Sequence, residues 1–147
     1  MAIEVHKVLY TARATAEGGR DGHTASDDGK LDLTMAPPKE MGGSGEGTNP
    51  EQLFAAGYAS CFHSALMAVA RRAKESVENS TVTGEVGIGS IGGGEGGARW
   101  GLAVRLVIEL PGKDRAVAEK LVAQAHEVCP YSNATRGNIS VTLDIIT

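Results

Sequence analysis

The chain contains two cysteines, Cys61 and Cys129, and a cysteine thiolate is a strong nucleophile and a redox group. Three interpretations of the pair are open. They could be inert buried thiols, because cysteine is often a small core residue. They could form a structural disulfide, which is uncommon in an intracellular chain of this size. They could also be a redox pair, and the residue types alone do not decide among the three.

The surroundings of Cys61 favour a reactive thiol. Residues 53–70 contain no Asp, Glu, Lys or Arg, and the nearest upstream acid is Glu51. In a straight helix, the ten residues between Glu51 and Cys61 span about 15 Å, so the helix must bend or another group must bridge the two. We expect a break at Gly57 or Ser60, where Ser60 would cap a new helical segment and its N-terminus would lower the thiol pKa.

Cys129 stands in a different local setting, directly before Pro130. Proline ends a helix, so this cysteine is predicted at a helix C-terminus, where the helix dipole disfavours a thiolate. The contrast favours Cys61 as the attacking thiol and Cys129 as the thiol that resolves the oxidised product.

Two other motifs suggest chemistry that the spacing does not support. His126 and Cys129 share a helical face, but Cys61 and His63 lie on nearly opposite faces and cannot easily share a zinc ion. We therefore interpret both histidines as packed or surface side chains. Residues 87–92 match the dinucleotide pattern G-x-G-x-x-G, which needs a helix to begin there. More glycines and a strand follow, so we predict a hairpin turn.

The elements that would position the cysteines follow from the sequence pattern. Period-two alternation and turn signals predict strands at residues 8–16, 23–26, 31–35, 81–89 and 99–110, and a last strand from Ile139. Turns are predicted at residues 18–22, 28–29 and 92–97, and a long loop at residues 36–48.

Two helices complete the pattern. The first is capped by Asn49 and runs to about Lys74, and the second is capped by Asp114. The apolar stripe of the second helix is predicted from Val117, Leu121, Ala125 and Val128. The sequence predicts one α+β domain over residues 1–147 with a mainly antiparallel sheet.

Composition excludes several partners. The net charge of −4 argues against nucleic acid and anionic membranes, which require a basic patch. The N-terminus lacks the pattern of a signal peptide, so we expect a cytoplasmic protein. Residues 53–70 approach the length of a membrane span, but their many small residues favour a buried core helix. That helix is apolar or small on nearly every side, which predicts a partner subunit that covers part of it.

Three segments carry a resemblance to a known family. They are residues 19–22 (GRDG), 49–62 (NPEQLFAAGYASCF) and 129–138 (CPYSNATRGN). Together they closely resemble the organic hydroperoxide resistance proteins, within the larger family of osmotically inducible protein C. The turn at residues 94–100 is longer and more polar than is usual for that family.

The resemblance implies a fold, a mechanism and four site residues. The fold is an α+β homodimer with intertwined subunits, two active sites at the interface and a long central helix. Cys61 matches the cysteine that attacks the peroxide, and Cys129 matches the resolving cysteine. Arg20 matches the arginine that contacts the thiolate and the peroxide, and Glu51 matches the acid that holds the arginine. The implied reductant is a dithiol, typically lipoyl groups on proteins, with no metal, flavin or haem.

The substrate of such a site is an organic hydroperoxide, and apolar side chains would surround it. The candidates for these walls are Met41, Phe54, Tyr58 and Phe62, for which core packing is the alternative. Two other functions remain open: a general thiol–disulfide oxidoreductase, although the pair lacks C-x-x-C spacing, and a hydroperoxide sensor or small-ligand binding module without catalytic activity.

Overall fold

A computed structural model of the chain describes residues 2–147. Its elements, in chain order, are β1 (Ala14–Glu17), β2 (His23–Ser26), β3 (Asp32–Thr34), a 3-10 helix (Lys39–Met41), α1 (Pro50–Arg72), β4 (Thr81–Gly94), β5 (Gly97–Glu109), α2 (Arg115–Val128), α3 (Pro130–Thr135) and β6 (Val141–Ile146). The chain forms two compact units, Met1–Pro50 and Glu51–Thr147. A single domain over the whole chain stays a prediction. The α+β class is confirmed, with one three-stranded sheet in each unit.

The first unit is an antiparallel sheet in the order β1-β2-β3. The turn between β2 and β3 forms as predicted. The Asp28 carboxylate accepts hydrogen bonds from the Ser26 hydroxyl at 2.6 Å and the Lys30 N–H at 3.0 Å, and Gly29 adopts φ 75°. The strand predicted at residues 8–16 begins only at Ala14, because no neighbouring strand pairs with the earlier residues in the described chain.

The sheet of the second unit has the order β4-β5-β6. The β4–β5 pair is antiparallel, as expected, but β6 runs parallel to β5. Parallel neighbours require a crossover connection, which α2 and α3 supply. The predicted turn at residues 92–97 is shorter than expected, since β4 continues to Gly94 and β5 begins at Gly97. The segment 87–92 therefore lies in a strand, and no helix begins there.

The core of the second unit forms around α1. Tyr58, Phe62 and Leu66 are completely buried and pack with apolar residues of β5 and α2 in one cluster. By length and composition α1 could cross a membrane, a test that the core helix of a soluble protein also passes. Burying a side chain such as Leu66 stabilises the fold by about 1.5–3 kcal/mol. These contacts support the interpretation of α1 as a core helix.

Two local features fix the elements around α1. Gly84 of β4 lies against the helix, and a Cβ atom there would be 2.7 Å from the carbonyl oxygen of Ala55, so a larger side chain would push the sheet away. Asp114 caps α2 as predicted, because its carboxylate accepts from the Val117 N–H at 3.2 Å. The buried face of α2 is turned from the predicted stripe: Val128 is half-exposed, whereas Val122 is buried.

Candidate active site

The two cysteines meet inside the second unit although 68 residues separate them in sequence. The Cys129 thiol points at Cys61, and the two sulfur atoms lie 3.6 Å apart. Both are free thiols; Cys61 is partly buried and Cys129 is completely buried. Because a disulfide bond is about 2.05 Å long, a closing movement of about 1.5 Å would join the two sulfurs.

Cys129 occupies the corner between α2 and α3. Its backbone is extended (φ −66°, ψ 122°), and Pro130 takes the first position of α3. The Cys129 N–H donates to the Ala125 carbonyl at 2.9 Å, and the Cys129 carbonyl accepts from the Asn133 N–H at 3.0 Å. The predicted end of the second helix before Pro130 is confirmed. Pro130 also begins a third helix, which was not predicted from the sequence.

Cys61 lies in the middle of α1, and this corrects the predicted helix break. The helix is continuous from Pro50 to Arg72 and passes through Gly57 and Ser60 without interruption. Core packing along α1 outweighs the weak helix propensity of these two residues. Cys61 therefore does not lie at the N-terminus of its own helix.

The pKa of the Cys61 thiol is raised rather than lowered. Burial is the main cause, because it removes water from the charged form; the backbone N–H of Tyr131 acts in the opposite direction, and the neighbouring Cys129 thiol adds to the increase. A reactive thiolate at this position therefore needs a further positive group.

A chain of polar side chains lies behind the two sulfurs. The Tyr58 hydroxyl lies 2.9 Å from Ser132 Oγ and 3.0 Å from Thr135 Oγ1. On the other side, His126 Nδ1 lies 2.8 Å from Ser132 Oγ. Tyr58, Ser132 and Thr135 are buried, and His126 is partly buried. These hydrogen bonds connect α1, α2 and α3 around the corner that contains Cys129.

The aromatic residues near the cysteines form a cluster. The ring centroids of Phe54 and Tyr131 are 6.1 Å apart, and those of Tyr58 and Tyr131 are 5.7 Å apart. Phe62 is completely buried in the core, which favours a packing role. Met41 ends the 3-10 helix of the first unit and is half-exposed. The assignment of these residues as substrate walls stays a prediction.

Arg20 and Glu51 lie in different units. Arg20 is in the turn between β1 and β2, next to Gly19, which adopts φ 60°. Glu51 is in the first turn of α1, where the helix dipole favours a carboxylate. Because α1 is continuous, about 15 Å of helix separates Glu51 from Cys61. The role of the pair at the thiolate stays a prediction.

The structure gives the histidines hydrogen-bond partners. His63 Nε2 lies 3.0 Å from Ser80 Oγ, and His126 bonds to Ser132. Within residues 2–147, no group of three or more His, Cys, Asp and Glu side chains is placed to hold a metal ion.

Three residues of the site were not singled out from the sequence: Tyr131, Ser132 and Thr135. All lie in the segment 129–138 that carried the resemblance, but no role was assigned to them. A signal was present, because Ser132 and Thr135 are three residues apart and would share one face of a helix after Pro130.

Comparison with known proteins places this geometry in context. The family model for OsmC-like proteins matches residues 43–144. The organic hydroperoxide resistance protein of Xanthomonas axonopodis pv. citri is 54% identical over 141 residues, which cover 95% of this chain and 96% of that protein. Two solved structures of organic hydroperoxide resistance proteins are also similar. The Legionella pneumophila protein has a TM-score of 0.88 and 50% identity, and the match covers 96% of this chain and 100% of the Legionella chain. OhrB of Bacillus subtilis has a TM-score of 0.82 and 45% identity, over 94% and 99% of the two chains.

Proposed function

The chain belongs to the OsmC-like family, with the organic hydroperoxide resistance proteins, and we propose that it is a cysteine-based peroxidase that reduces organic hydroperoxides to alcohols. The observation that carries the proposal is the contact of two free thiols, Cys61 and Cys129, with sulfurs 3.6 Å apart. The relatives are named for resistance to organic hydroperoxides, which supports this substrate class.

The proposed cycle uses both thiols. The Cys61 thiol first loses its proton, and the thiolate attacks the hydroxyl oxygen of the hydroperoxide. The O–O bond breaks, the hydroxyl group stays on sulfur, and the alkoxide takes up the released proton and leaves as the alcohol. The resulting sulfenic acid condenses with the Cys129 thiol, which forms a disulfide and releases water. An external dithiol then attacks the disulfide, and exchange through a mixed disulfide restores both thiols.

The thiolate needs positive charge, because burial raises the pKa of Cys61. We assign that charge to Arg20, whose guanidinium stays protonated when buried and can also donate to the departing oxygen. Glu51 would hold the guanidinium in a bidentate pair. Phe54, Tyr58, Met41 and Phe62 are the candidate walls for the organic part of the substrate.

We further propose a homodimer. Several large apolar side chains near the N-terminus are exposed in the single chain, and Leu9 is 88% exposed. The side of α1 that carries Ala56, Ser60, Ser64 and Met67 is also exposed. A second copy could cover both surfaces. Within one copy, Glu51 lies about 15 Å from Cys61 along the helix. A second copy could instead bring its own Arg20 and Glu51 to that thiol.

The reductant is proposed from the chemistry of the disulfide. A dithiol such as dihydrolipoyl groups on a protein closes a stable ring when it is oxidised, so it can release both cysteines without a second reductant. No metal or organic cofactor enters this cycle. A cytoplasmic location, where dithiols are kept reduced, suits it.

Steady-state turnover tests the proposal. The protein is mixed with dihydrolipoamide and, in parallel reactions, with hydrogen peroxide, tert-butyl hydroperoxide or a fatty-acid hydroperoxide. We expect many turnovers, with both organic peroxides consumed faster than hydrogen peroxide. A single equivalent consumed by the wild-type protein would identify a sensor instead of an enzyme. Turnover of a small disulfide without any peroxide would identify a general oxidoreductase.

A further inference from the structure

The polar chain behind the cysteines has only one direction in which every contact contains a hydrogen. Thr135 Oγ1 lies 3.3 Å from the Ser132 carbonyl oxygen, which can only accept, so the Thr135 hydroxyl donates there. Each hydroxyl has one hydrogen. With that hydrogen on the carbonyl, Tyr58 donates to Thr135 and Ser132 donates to Tyr58, whereas the opposite direction would leave the Ser132 carbonyl without its hydrogen bond from Thr135.

His126 begins this chain. Because the Ser132 hydroxyl hydrogen is directed to Tyr58, the 2.8 Å contact between His126 Nδ1 and Ser132 Oγ has a hydrogen only if Nδ1 carries it. Burial lowers the pKa of His126, and the charge of Arg136 lowers it further, so both favour the neutral ring. A neutral imidazole has one N–H, and this direction of the hydrogen bonds places it on Nδ1.

The hydrogen-bonded side chains join the helices on both sides of the cysteine pair. Tyr58 lies one turn before Cys61 on α1, His126 lies one turn before Cys129, and Ser132 lies one turn after Cys129. α3 has only six residues, and a helix of that length is unstable by itself. Its position beside α1 must therefore come from tertiary contacts such as this chain.

We propose that His126 and Tyr58 are positioning residues that hold the Cys129 thiol against Cys61 and thereby accelerate disulfide formation. The inference rests on the proposed function. In the step concerned, the Cys129 sulfur attacks the sulfenic sulfur of Cys61, the S–O bond breaks, and the thiol proton leaves with the hydroxyl as water. Holding the two groups in contact raises their effective concentration. The earlier attack of Cys61 on the peroxide does not involve Cys129. The hydrogen bonds that position Cys129 therefore act on disulfide formation alone.

Four variants test the proposal in the full chain. Tyr58→Phe removes the central hydroxyl and keeps the ring. His126→Leu removes the donor, whereas His126→Asn places an amide N–H where Nδ1–H stands. Ser80→Ala is the matched control, because it removes another histidine–serine hydrogen bond that ends on α1, between His63 and Ser80 at 3.0 Å.

The measurement is rapid mixing with tert-butyl hydroperoxide, followed by an acid quench, alkylation and mass spectrometry. It resolves thiol, sulfenic acid, disulfide and sulfinic acid in one sample. In Tyr58→Phe and His126→Leu we expect disulfide formation to slow about tenfold, which corresponds to about 1.4 kcal/mol in the barrier. In His126→Leu, which leaves the candidate substrate walls intact, sulfenic acid should form at the wild-type rate. More sulfinic acid should accumulate, because the sulfenic acid survives to meet a second peroxide. His126→Asn and Ser80→Ala should stay within about twofold of wild type.

Several outcomes overturn the inference. Wild-type disulfide rates in both Tyr58→Phe and His126→Leu would overturn it, as would an equal slowing of sulfenic-acid and disulfide formation in His126→Leu. If His126→Asn behaves like His126→Leu, the donor role of the ring is wrong. A wild-type protein that forms no disulfide overturns the proposed function itself, whereas a wild-type disulfide with unaffected variants overturns only the positioning role.

A spectroscopic measurement tests the chain without any turnover. Long-range ¹H–¹⁵N correlation at a pH where the ring is neutral shows which nitrogen of His126 carries the proton. We expect Nδ1–H in the wild-type protein and a loss of that preference in Ser132→Ala. A neutral Nε2–H ring in the wild-type protein would overturn the proposed direction, even if Tyr58→Phe does not fold.

Discussion

Gly57 lies directly beneath the ring of Tyr131. A Cβ atom at Gly57 would be 2.7 Å from the Tyr131 hydroxyl oxygen and 3.2 Å from two of its ring carbons. Gly57 is one turn before Cys61 on α1, and Tyr131 is two residues after Cys129. The absence of a side chain at this point lets the corner that carries Cys129 lie close to α1.

Gly57→Ala should therefore displace Tyr131 and the corner to which it belongs. Alanine favours a helix by about 1 kcal/mol relative to glycine, whereas overpacking costs about 1–3 kcal/mol. We expect a net loss of about 1 kcal/mol in the free energy of unfolding, and slower disulfide formation. Denaturant unfolding and quenched oxidation measure the two effects. Adding Tyr131→Phe removes the shortest contact and should restore part of both; a double variant no better than Gly57→Ala would contradict the steric explanation.

The two cysteines should fail in different ways when each is replaced by serine. Cys61→Ser should abolish turnover, because a serine hydroxyl is not ionised at neutral pH. Cys129→Ser should consume about one equivalent of peroxide and stop with an oxidised Cys61. Peroxide consumption and mass spectrometry give the two results. Normal turnover in Cys61→Ser would show that the wrong cysteine has been assigned as the nucleophile.

Arg20→Ala should raise the pKa of Cys61, because burial already disfavours the thiolate and the variant removes the proposed compensating charge. Glu51→Ala should have the same effect more weakly, since the arginine remains but is less well held. The pH dependence of Cys61 alkylation, in a Cys129→Ser background, measures both. An unchanged midpoint in Arg20→Ala would leave the arginine, at most, a role in positioning the substrate.

The same shift predicts a pH dependence of stability for Arg20→Ala. A thiol whose pKa is higher in the folded state binds its proton more tightly there, so the free energy of unfolding falls as pH rises through the thiol range. The stabilisation from this tighter proton binding is fully present below the pKa of the unfolded thiol and is lost as pH rises through the pKa of the folded thiol. Thermal unfolding between neutral and alkaline pH shows it, and the additional change Cys61→Ser should abolish it. A loss that persists without Cys61 would come from other groups.

The active protein should be a dimer. Leu9 and Tyr10 are 88% and 80% exposed in the single chain, and Met67 of α1 is 46% exposed. Exposed apolar surface of this extent marks an interaction site. Light scattering at working concentrations should give twice the chain mass, and Leu9→Glu should weaken association and activity together. Full activity in a monomer would contradict the dimer.

The sequence predicted best those features that local chemistry determines. The Asp28-Gly29 turn, the Asp114 cap and the end of α2 at Pro130 all depend on residues within a few positions of each other, and all three formed. The cysteine pair was identified from the motifs around it rather than from distance. Its contact at 3.6 Å is a product of tertiary structure.

The errors came from glycines and from packing between distant segments. Gly57 was interpreted as a helix break, but its function is to accommodate Tyr131, 74 residues further along the chain. The glycines before Gly94 extend β4 instead of forming a wide turn. The parallel pairing of β6, the third helix and the raised pKa of Cys61 depend on how α2 and α3 pack on α1, which periodicity does not reveal.

The 68 residues between Cys61 and Cys129 have a thermodynamic consequence. A bond between the two sulfurs would close a large loop in the unfolded chain and remove much of its entropy, by about 4 kcal/mol at 25 °C. The oxidised protein should therefore resist heat and proteases better than the reduced protein. By linkage, folding favours disulfide formation by the same amount. Each turnover would therefore move the molecule between an oxidised form with a higher free energy of unfolding and a reduced form with a lower one. A reductant that opens the bond would also remove this added stability, and cells short of reductant would accumulate the more stable, oxidised form.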